Sequence, residues 1–430
     1  DLMNIQEIIS SADDLRKAER YADAIGLYQQ AWESEKQPFV VRNIIFCYRK
    51  LKLFQEAESF LLEAQRLYPN DKYIQSEAGW LIYDAEIKPA KENRDIGKAI
   101  YFANKAIAIG ENQLLAVRTS ITIAQIAKSL ANPNWAKIAE WLEKISSDDL
   151  SPEKNGKTYM SEREWWYVNY SRSLFEINDY IRSREVALSG LKQFPDEIHL
   201  LRTAGLAAYK SGDLSLGEIE IEQLLNHREK GWYVYSDLAE IKADAGKLEE
   251  SLGLFCEAFL ESNNDSFKLK AFVSFAAVAL QLNRLEDAAA HIELAKLIRS
   301  KEGWNVPTEL LNMELAIKAA FSKQHIDYPT FPTCITTLSN HCKSMWEKES
   351  LQNLERHVGY IDRFDKSKNY AFITPTQGGD DVYVQRRDIP QACQFNGAMV
   401  EYSTERSYDP KRNRESQRAI RVLCSKSSSS

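Results

Sequence analysis

The chain of 430 residues is 44% hydrophobic and 27% charged, which is the ordinary balance of a globular protein. Its length predicts two or three domains, and it lacks the run of about 18 apolar residues that a transmembrane helix needs. The net charge of −7 is unevenly distributed, because residues 356–426 carry 13 Lys and Arg against 9 Asp and Glu. This segment therefore has a charge of +4 and the rest of the chain −11. A basic segment on an acidic body predicts an anionic partner for that segment alone.

Small residues recur along the first two thirds of the chain at intervals of 33 to 47 residues. They are Ala24, Ala57, Ala99, Ala136, Ser183, Gly217, Ser251 and Ala288. Twelve positions upstream of seven of them stand Ala12, Ile45 (a departure), Ala124, Ser171, Gly205, Ala239 and Ala276. Two helices cross closely only where their side chains are small. The spacing therefore predicts repeated helix pairs, which must stack because one pair cannot bury its apolar face alone.

Three segments show the second helix of such a pair with small, bulky and small residues in the same order: FQEAESFLLEAQRLYPND, LEESLGLFCEAFLESNND and LEDAAAHIELAKLI. The pattern resembles the tetratricopeptide repeat, a helix pair of about 34 residues, with insertions such as IKPAKENRD where the interval is long. The resemblance implies a mainly α fold, a solenoid of stacked helix pairs. From the residues alone, an irregular helical bundle is the alternative.

A solenoid has a concave groove, so we expect a protein or peptide partner there. Arg42, next to Asn43, is a candidate binding residue, but neighbouring repeats do not supply the other residues of a carboxylate clamp. Trp165 and Trp166 are further candidates, because they belong to an aromatic cluster with Tyr167 and Tyr170. The alternative is that this cluster forms the core of a repeat.

The predicted domains follow from these patterns and from two prolines, Pro329 and Pro332, that interrupt helix. They are a helical repeat domain with a closing helix at 1–322, a linker and helix at 323–355, a small β domain at 356–426 and a serine tail at 427–430.

No metal site is predicted, because the candidate ligands do not have the spacing of a zinc site: Cys334, His341, Cys342 and His357. All six cysteines lie far apart with no paired framework, which favours a reducing cytoplasm. They are Cys47, Cys256, Cys334, Cys342, Cys393 and Cys424.

Five short strands are predicted in the β domain, and five strands can close into a small barrel that leaves no open edge. Tyr370 and Phe372 share one face of the strand KNYAFI because side chains alternate along a strand. Tyr383 and Gln385 share a face of the strand VYVQ. A turn containing Pro, Gly and Asp separates these two strands.

The segment from about 357 to 424 resembles a cold-shock domain, a five-stranded oligonucleotide-binding (OB) fold. KNYAFI, which begins at Lys368, stands where that family has Lys-Gly-Phe-Gly-Phe-Ile, and VYVQR stands where it has Val-Phe-Val-His-Phe. The resemblance implies that Tyr370, Phe372 and Tyr383 stack on bases of single-stranded RNA or DNA. The chain departs from the family at Arg363, which replaces a Trp, and at Asp362, Gln385 and Arg386, which replace a Lys, a His and a Phe.

Basic and planar side chains complete the predicted nucleic-acid site. The guanidinium planes of Arg363 and Arg386 could replace lost aromatic platforms. The loop ERSYDPKRNRESQR is longer and more basic than the family's connection, so its cations are expected to contact phosphates. They are Lys411, Arg412, Arg414 and Arg418.

No phosphate loop, zinc-protease motif or nucleophile elbow is present in the sequence. We therefore predict a non-catalytic cytoplasmic adaptor without a cofactor, which binds protein through the repeats and single-stranded nucleic acid through the barrel. One alternative is a regulatory C-terminal part of a larger enzyme, such as a nuclease or ATPase, because the chain begins at Asp1 and not at Met. Another is a protein scaffold whose barrel has lost nucleic-acid binding.

Overall fold

The structure, a computed structural model, describes residues 4–109, 112–156, 159–261, 264–352, 354–409 and 414–425, with only the backbone of 408, 409, 414 and 415. The chain folds as two compact units, Asp1–Pro195 and Asp196–Ser430. The fold is mainly α, a tetratricopeptide-like solenoid with a C-terminal closed five-stranded barrel. The predicted fold class is confirmed. The predicted limits of the domains stay a prediction.

Helix pairs build the first unit wherever it is described. They are α1 (Ile5–Lys17) with α2 (Tyr21–Ser34), α3 (Pro38–Lys50) with α4 (Phe54–Leu67), α5 (Lys72–Ile82), extended by α6 (Lys88–Glu92), with α7 (Ile96–Ile109), α8 (Gln113–Ser129) with α9 (Trp135–Leu142), and α10 (Glu162–Glu176) with α11 (Tyr180–Leu191). A π-helical turn at Tyr83–Ile87 joins α5 to α6. The predicted insertion IKPAKENRD therefore lengthens a first helix.

Helices also form most of the second unit. The pairs are α12 (Ile198–Lys210) with α13 (Leu214–Gln223), α14 (Trp232–Asp244) with α15 (Leu248–Glu261), and α16 (Leu269–Gln281) with α17 (Leu285–Glu302); α18 (Thr308–Lys323) and α19 (Ile335–Gln352) follow. Pro307 stands directly before α18, where the sequence predicts the start of a helix, and the closing role of this helix stays a prediction.

Seven of the eight predicted small residues are buried in helix pairs. Ala57, Ser183 and Ser251 are fully buried. The Ser183 hydroxyl donates to the carbonyl of Ser171 at 2.8 Å, and the Ser251 hydroxyl donates to the carbonyl of Ala239 at 2.7 Å. In both pairs the acceptor stands twelve residues upstream, as the sequence predicted. A small residue therefore lets two backbones approach closely, and serine adds a hydrogen bond between them.

One position in this series is wrong. Ala136 is exposed in the first turn of α9, which begins at Trp135. Ala139, 6% exposed, is buried in its place. The helix is only 8 residues long, so an assignment by repeat spacing missed its buried face.

Helix α19 packs on α15 and α17 through Leu338, Cys342 and Trp346. The Trp346 indole N–H donates to Nε2 of His291 at 2.7 Å, and Nδ1 of His291 lies 2.7 Å from the carbonyl of Asp287. Nδ1 therefore carries the ring proton and donates it. Burial among aromatic rings lowers the pKa of His291 to about 4, so this side chain is neutral near pH 7. The helix predicted after the prolines is thus part of the core of the second unit.

Five strands form the barrel: β1 (His357–Asp362), β2 (Tyr370–Pro375), β3 (Val382–Gln385), β4 (Met399–Asp409) and β5 (Arg414–Cys424). The sheet closes in the order β1-β2-β3-β5-β4, with β4 paired to β1. Only β3 and β5 pair in parallel; the other neighbours are antiparallel. The interior holds small and β-branched side chains that alternate with outward-facing ones, as the sequence predicted: Ile361, Ala371, Ile373, Val382, Val384, Val400 and Ala419.

The expectation that the cysteines are unpaired is wrong for two of them. Cys393 and Cys424 form a disulfide, with Cα atoms 5.9 Å apart. They are 31 residues apart in sequence, and closure of the barrel brings the end of β5 beside the segment after β3. Spacing alone does not show this proximity. Across the residues that the structure describes, no helix has both the length and the apolar character to cross a membrane.

Candidate nucleic-acid interface

Three aromatic rings lie together on the outer face of β2 and β3. Phe372 and Tyr383 are direct cross-strand partners, and Tyr370 is opposite Gln385. The Tyr370 and Tyr383 rings are stacked with centroids 5.8 Å apart, and Phe372 is edge-on to both at 5.9 and 6.1 Å. The alternate residues Ala371 and Val384 are fully buried in the barrel. Strand alternation therefore holds the three predicted stacking residues in one aromatic cluster on a rigid surface.

Arg363 covers part of this cluster. Its guanidinium carbon lies 4.1 Å from the centroid of the Phe372 ring. Arg363 has a φ of 52°, a left-handed conformation that non-glycine residues seldom adopt. It donates to Asp362 at 3.1 Å and also to Asp381, which accepts a hydrogen bond from the Thr374 hydroxyl at 2.8 Å. The Arg363 cation is thus held over an aromatic ring and pairs with two carboxylates.

A groove of about 480 Å³ lies at the other end of the cluster, beyond Tyr383. Amide and guanidinium groups line it with the Tyr383 ring: Asn369, Gln385, Arg386, Arg387 and Gln394. Gln394 donates to the carbonyl of Ile389 at 3.0 Å, which holds one wall of the groove in place. Amides can donate and accept hydrogen bonds, and guanidinium groups pair with phosphate, so this groove suits a base and its phosphate.

Exposed cations cluster near the same end. The Lys368 ammonium lies 5.9 Å from the centroid of Tyr370, and Arg386 donates to the carbonyl of Lys366. Asp365 accepts hydrogen bonds from the backbone N–H and hydroxyl of Ser367, which lower the pKa of Asp365 and order the turn before β2. The outer face is therefore basic beside Tyr370 and Tyr383, whereas beside Phe372 one cation is paired with two carboxylates.

The predicted phosphate contacts of the long loop have a different outcome. Lys411 and Arg412 lie outside the described residues, and the side chain of Arg414 is also not described. Arg418 donates to Glu405 at 2.6 Å, and Glu405 also pairs with Lys230, just before α14, at 3.3 Å. The Arg418 guanidinium is thus engaged by a carboxylate inside the second unit, which makes it less available to a phosphate than an unpaired cation. The sequence could not show this because Lys230 is 175 residues away from Glu405.

A second set of contacts attaches the barrel to the helices of the same unit. An extra residue in β5, Arg421, lies at a register shift between β4 and β5 and has a φ of 50°. Its guanidinium donates to Ser350 of α19 at 2.9 Å and to Glu257 of α15. Such a bulge redirects a side chain out of the regular sheet pattern. Burial, together with the Glu405 carboxylate, raises the pKa of the nearby Glu261.

The candidate residues of the repeats lie apart from one another, on α3 and α10 of the first unit. The Arg42 guanidinium lies 5.2 Å from the ring centroids of both Phe39 and Tyr73, whose side chains are 39% and 54% exposed. Trp166 is buried and donates from its indole N–H to the carbonyl of Leu142 at 3.0 Å. This contact favours the repeat-core alternative for Trp166, whereas Trp165 is half-buried. Phe39 and Tyr73 were not predicted as candidate binding residues. Phe39 stands near Arg42 in the chain, and Tyr73 stands at the equivalent place one repeat later.

Aromatic rings, amides and cations are the groups that these surfaces present. Stacking rings, amides and cations hold a ligand by contact and charge. Among the residues that the structure describes, no three His, Cys, Asp or Glu side chains are grouped so that they could hold a metal ion.

A family model described as "Domain of unknown function (DUF7017)" matches residues 209–325, from the end of α12 to just beyond α18. No curated protein matches the chain. The chain is similar to a solved tetratricopeptide repeat protein from Parabacteroides merdae, with 15% identity, 62% of this chain and 96% of that chain covered, and a TM-score of 0.29.

Two further solved structures show a similar degree of likeness. The complex of the TPR2AB domain of yeast Sti1 with pHSP90 has 13% identity, 73% and 98% coverage and a TM-score of 0.28. The C-terminal part of a repeat protein from Cytophaga hutchinsonii has 14% identity, 63% and 95% coverage and a TM-score of 0.33. These similarities are low, so the solenoid description rests on the helix pairs of this chain. The family match ends before the barrel begins.

Proposed function

We propose that the protein is a non-catalytic adaptor that binds single-stranded RNA or DNA on its barrel and a protein or peptide on its repeats. The observation that carries the proposal is the aromatic cluster of Tyr370, Phe372 and Tyr383. Three rings within 6.1 Å of one another on an outer strand face offer flat surfaces to unpaired bases. Base stacking contributes about 1–3 kcal/mol for each base.

The barrel itself supports this proposal. Its strand order is β1-β2-β3-β5-β4, and its aromatic cluster lies on β2 and β3, the strands with which OB folds bind oligonucleotides. Lys368 and Arg387 lie beside the cluster and supply a salt-dependent attraction to phosphates. These features favour the cold-shock-like interpretation over a barrel that serves only as a protein-docking module.

The repeats support the second half of the proposal. Arg42 lies between two exposed rings, Phe39 and Tyr73, on the first helices of successive pairs. A cation between aromatic side chains is suited to an acidic or aromatic group of a peptide. A cross-linking experiment on the full chain would identify the partner of the surface around Arg42.

Fluorescence anisotropy with labelled single-stranded oligonucleotides tests the barrel. Tyr370→Ala with Phe372→Ala should weaken binding by the full chain about 10-fold or more, because two stacking surfaces are lost. Phe39→Ala with Tyr73→Ala is the matched control, since it also removes two exposed aromatic side chains but from the repeats. Unchanged affinity in the barrel variant, with circular dichroism showing a folded chain, would contradict the proposal. Parallel RNA and DNA probes decide between the two nucleic acids.

A further inference from the structure

We infer that Tyr360 of β1, with Met399 of β4 beside it, is a fourth stacking position, so that the barrel binds a strand extending past Phe372 onto β1. This inference rests on the proposed nucleic-acid function. Neither residue belongs to KNYAFI or VYVQR, and the aromatic cluster on β2 and β3 does not include them.

Tyr360 faces outward on the same side of the sheet as the cluster. Its neighbour in β1, Ile361, is 1% exposed and belongs to the barrel core, so alternation directs Tyr360 to solvent, where it is 41% exposed. Tyr360 is the cross-strand partner of Thr374 in β2, and Phe372 stands two residues before Thr374 on the same face. Diagonal neighbours in antiparallel strands are about 7–8 Å apart. The direct partner of Phe372 in β1 is Asp362, and Tyr360 is the aromatic residue diagonal to Phe372 on the same face, so a strand that runs diagonally from Tyr383 across Phe372 meets Tyr360 next.

Met399 completes the position from the other side. It is the cross-strand partner of Tyr360 in β4 and is 37% exposed. A flexible thioether side chain packs readily against an aromatic group. The sheet is closed between β1 and β4, so Tyr360 and Met399 lie on a continuous strand surface and not at a frayed edge.

The charges around Tyr360 differ from those around Tyr383. At the end of β1, Arg363 forms ion pairs with Asp362 and Asp381. In β4, Glu401 stands two residues after Met399. Lys368, Arg386 and Arg387 lie at the opposite end, beside Tyr370 and Tyr383. The Tyr360 position therefore has no surplus of positive charge to attract phosphate, and its contribution should come from stacking alone. Continuity with three aromatic rings favours a base over a protein side chain as its occupant.

The test uses the full chain and fluorescein-labelled oligothymidylates of about three to about eight nucleotides. Tyr360→Ala should weaken binding of the longest probe about 5-fold or more and leave the shortest nearly unchanged, because only the longer strand reaches β1. Tyr360→Phe should keep the affinity, since the ring remains. The Tyr360→Ala loss should also be the same at low and high salt.

Leu423→Ala is the control. Leu423 is 41% exposed on the outer face of β5, next to Glu401, and has no aromatic ring. An equal loss from Leu423→Ala, or no loss from Tyr360→Ala while Tyr370→Ala weakens binding, would overturn the inference and leave the proposed function in place. If the unaltered chain binds no probe, the proposed function and this inference both fail. The inference would also be overturned if a protein partner, and not an oligonucleotide, covered Tyr360 and Leu423 and protected them from solvent.

Discussion

Arg421 of the barrel and Glu257 of helix α15 form an ion pair in which each side chain is only 16% exposed. The pair shares the Ser350 hydroxyl of α19, so one contact joins the barrel to two helices of the second unit. Removing one partner of a mostly buried pair leaves the other charge without compensation. The segment predicted as a linker and helix therefore contributes to the attachment of the barrel.

Arg421→Met should lower the local free energy of unfolding of β5 and α15 by about 1–3 kcal/mol, because Glu257 loses its cation but stays partly solvated. Hydrogen exchange of peptides from the two elements measures this change. Adding Glu257→Leu to Arg421→Met should recover much of the loss. Arg387→Met is the matched control, since that side chain is 70% exposed. Equal effects from Arg421→Met and Arg387→Met would show that the pair does not hold the barrel.

The salt dependence of binding should separate the exposed cations of the outer face from Arg418, whose side chain is only 22% exposed. Lys368→Gln with Arg387→Gln should reduce the slope of log K against log salt by about 1.4 at most, because each phosphate contact of a single strand contributes about 0.7. Arg418→Gln should leave the slope unchanged, since Arg418 already pairs with Glu405. Anisotropy titrations at several salt concentrations measure these slopes. A reduced slope in Arg418→Gln would return this residue to the phosphate path.

Ala57 tests the assignment of the repeats. It is fully buried on α4, where α4 packs on α3, so Ala57→Leu should push the helices apart and cost about 1–3 kcal/mol. Glu58→Leu adds a similar side chain at an exposed position and should cost much less. Thermal unfolding followed by circular dichroism compares the two variants. Nucleic-acid affinity should persist in Ala57→Leu, and equal melting shifts would mean that the assigned register is wrong.

His291 should make the second unit sensitive to acid. Its pKa is about 4 in the folded chain and about 6.5 when unfolded, so above pH 6.5 both states are neutral. As the pH falls from about 6.5 to about 4, only the unfolded state gains the proton, and the free energy of unfolding falls by about 3 kcal/mol in all. The titratable groups that interact electrostatically with His291 are Asp287, Asp265 and His341.

The comparison variant is His291→Gln, whose amide oxygen can accept the Trp346 N–H but does not titrate. Urea unfolding between about pH 7 and about pH 5 should show a steeper loss of stability in the unaltered chain than in the variant. The same pH dependence in both proteins would contradict neutral burial of this histidine.

The sequence by itself determined the local elements of this protein. Small residues at regular intervals predict helix crossings because only a small side chain permits close approach, and Ala57, Ser183 and Ser251 lie at such crossings. Alternation along β2 and β3 likewise predicts that Tyr370, Phe372 and Tyr383 face outward. These features depend on residues near one another in the chain, so their periodicity is visible before folding.

Only the tertiary structure decided which distant groups meet. Arg418 follows a basic stretch of sequence that is typical of an exposed loop, but in the folded chain it pairs with Glu405. Cys393 meets Cys424 through closure of the barrel, and Arg421 meets Glu257 through a bulge, 164 residues apart in the chain. Tyr360 stands diagonal to Phe372 only because β1 pairs with β2 in one particular register. Pairings of this kind depend on strand register and helix packing, which no local pattern of residues specifies.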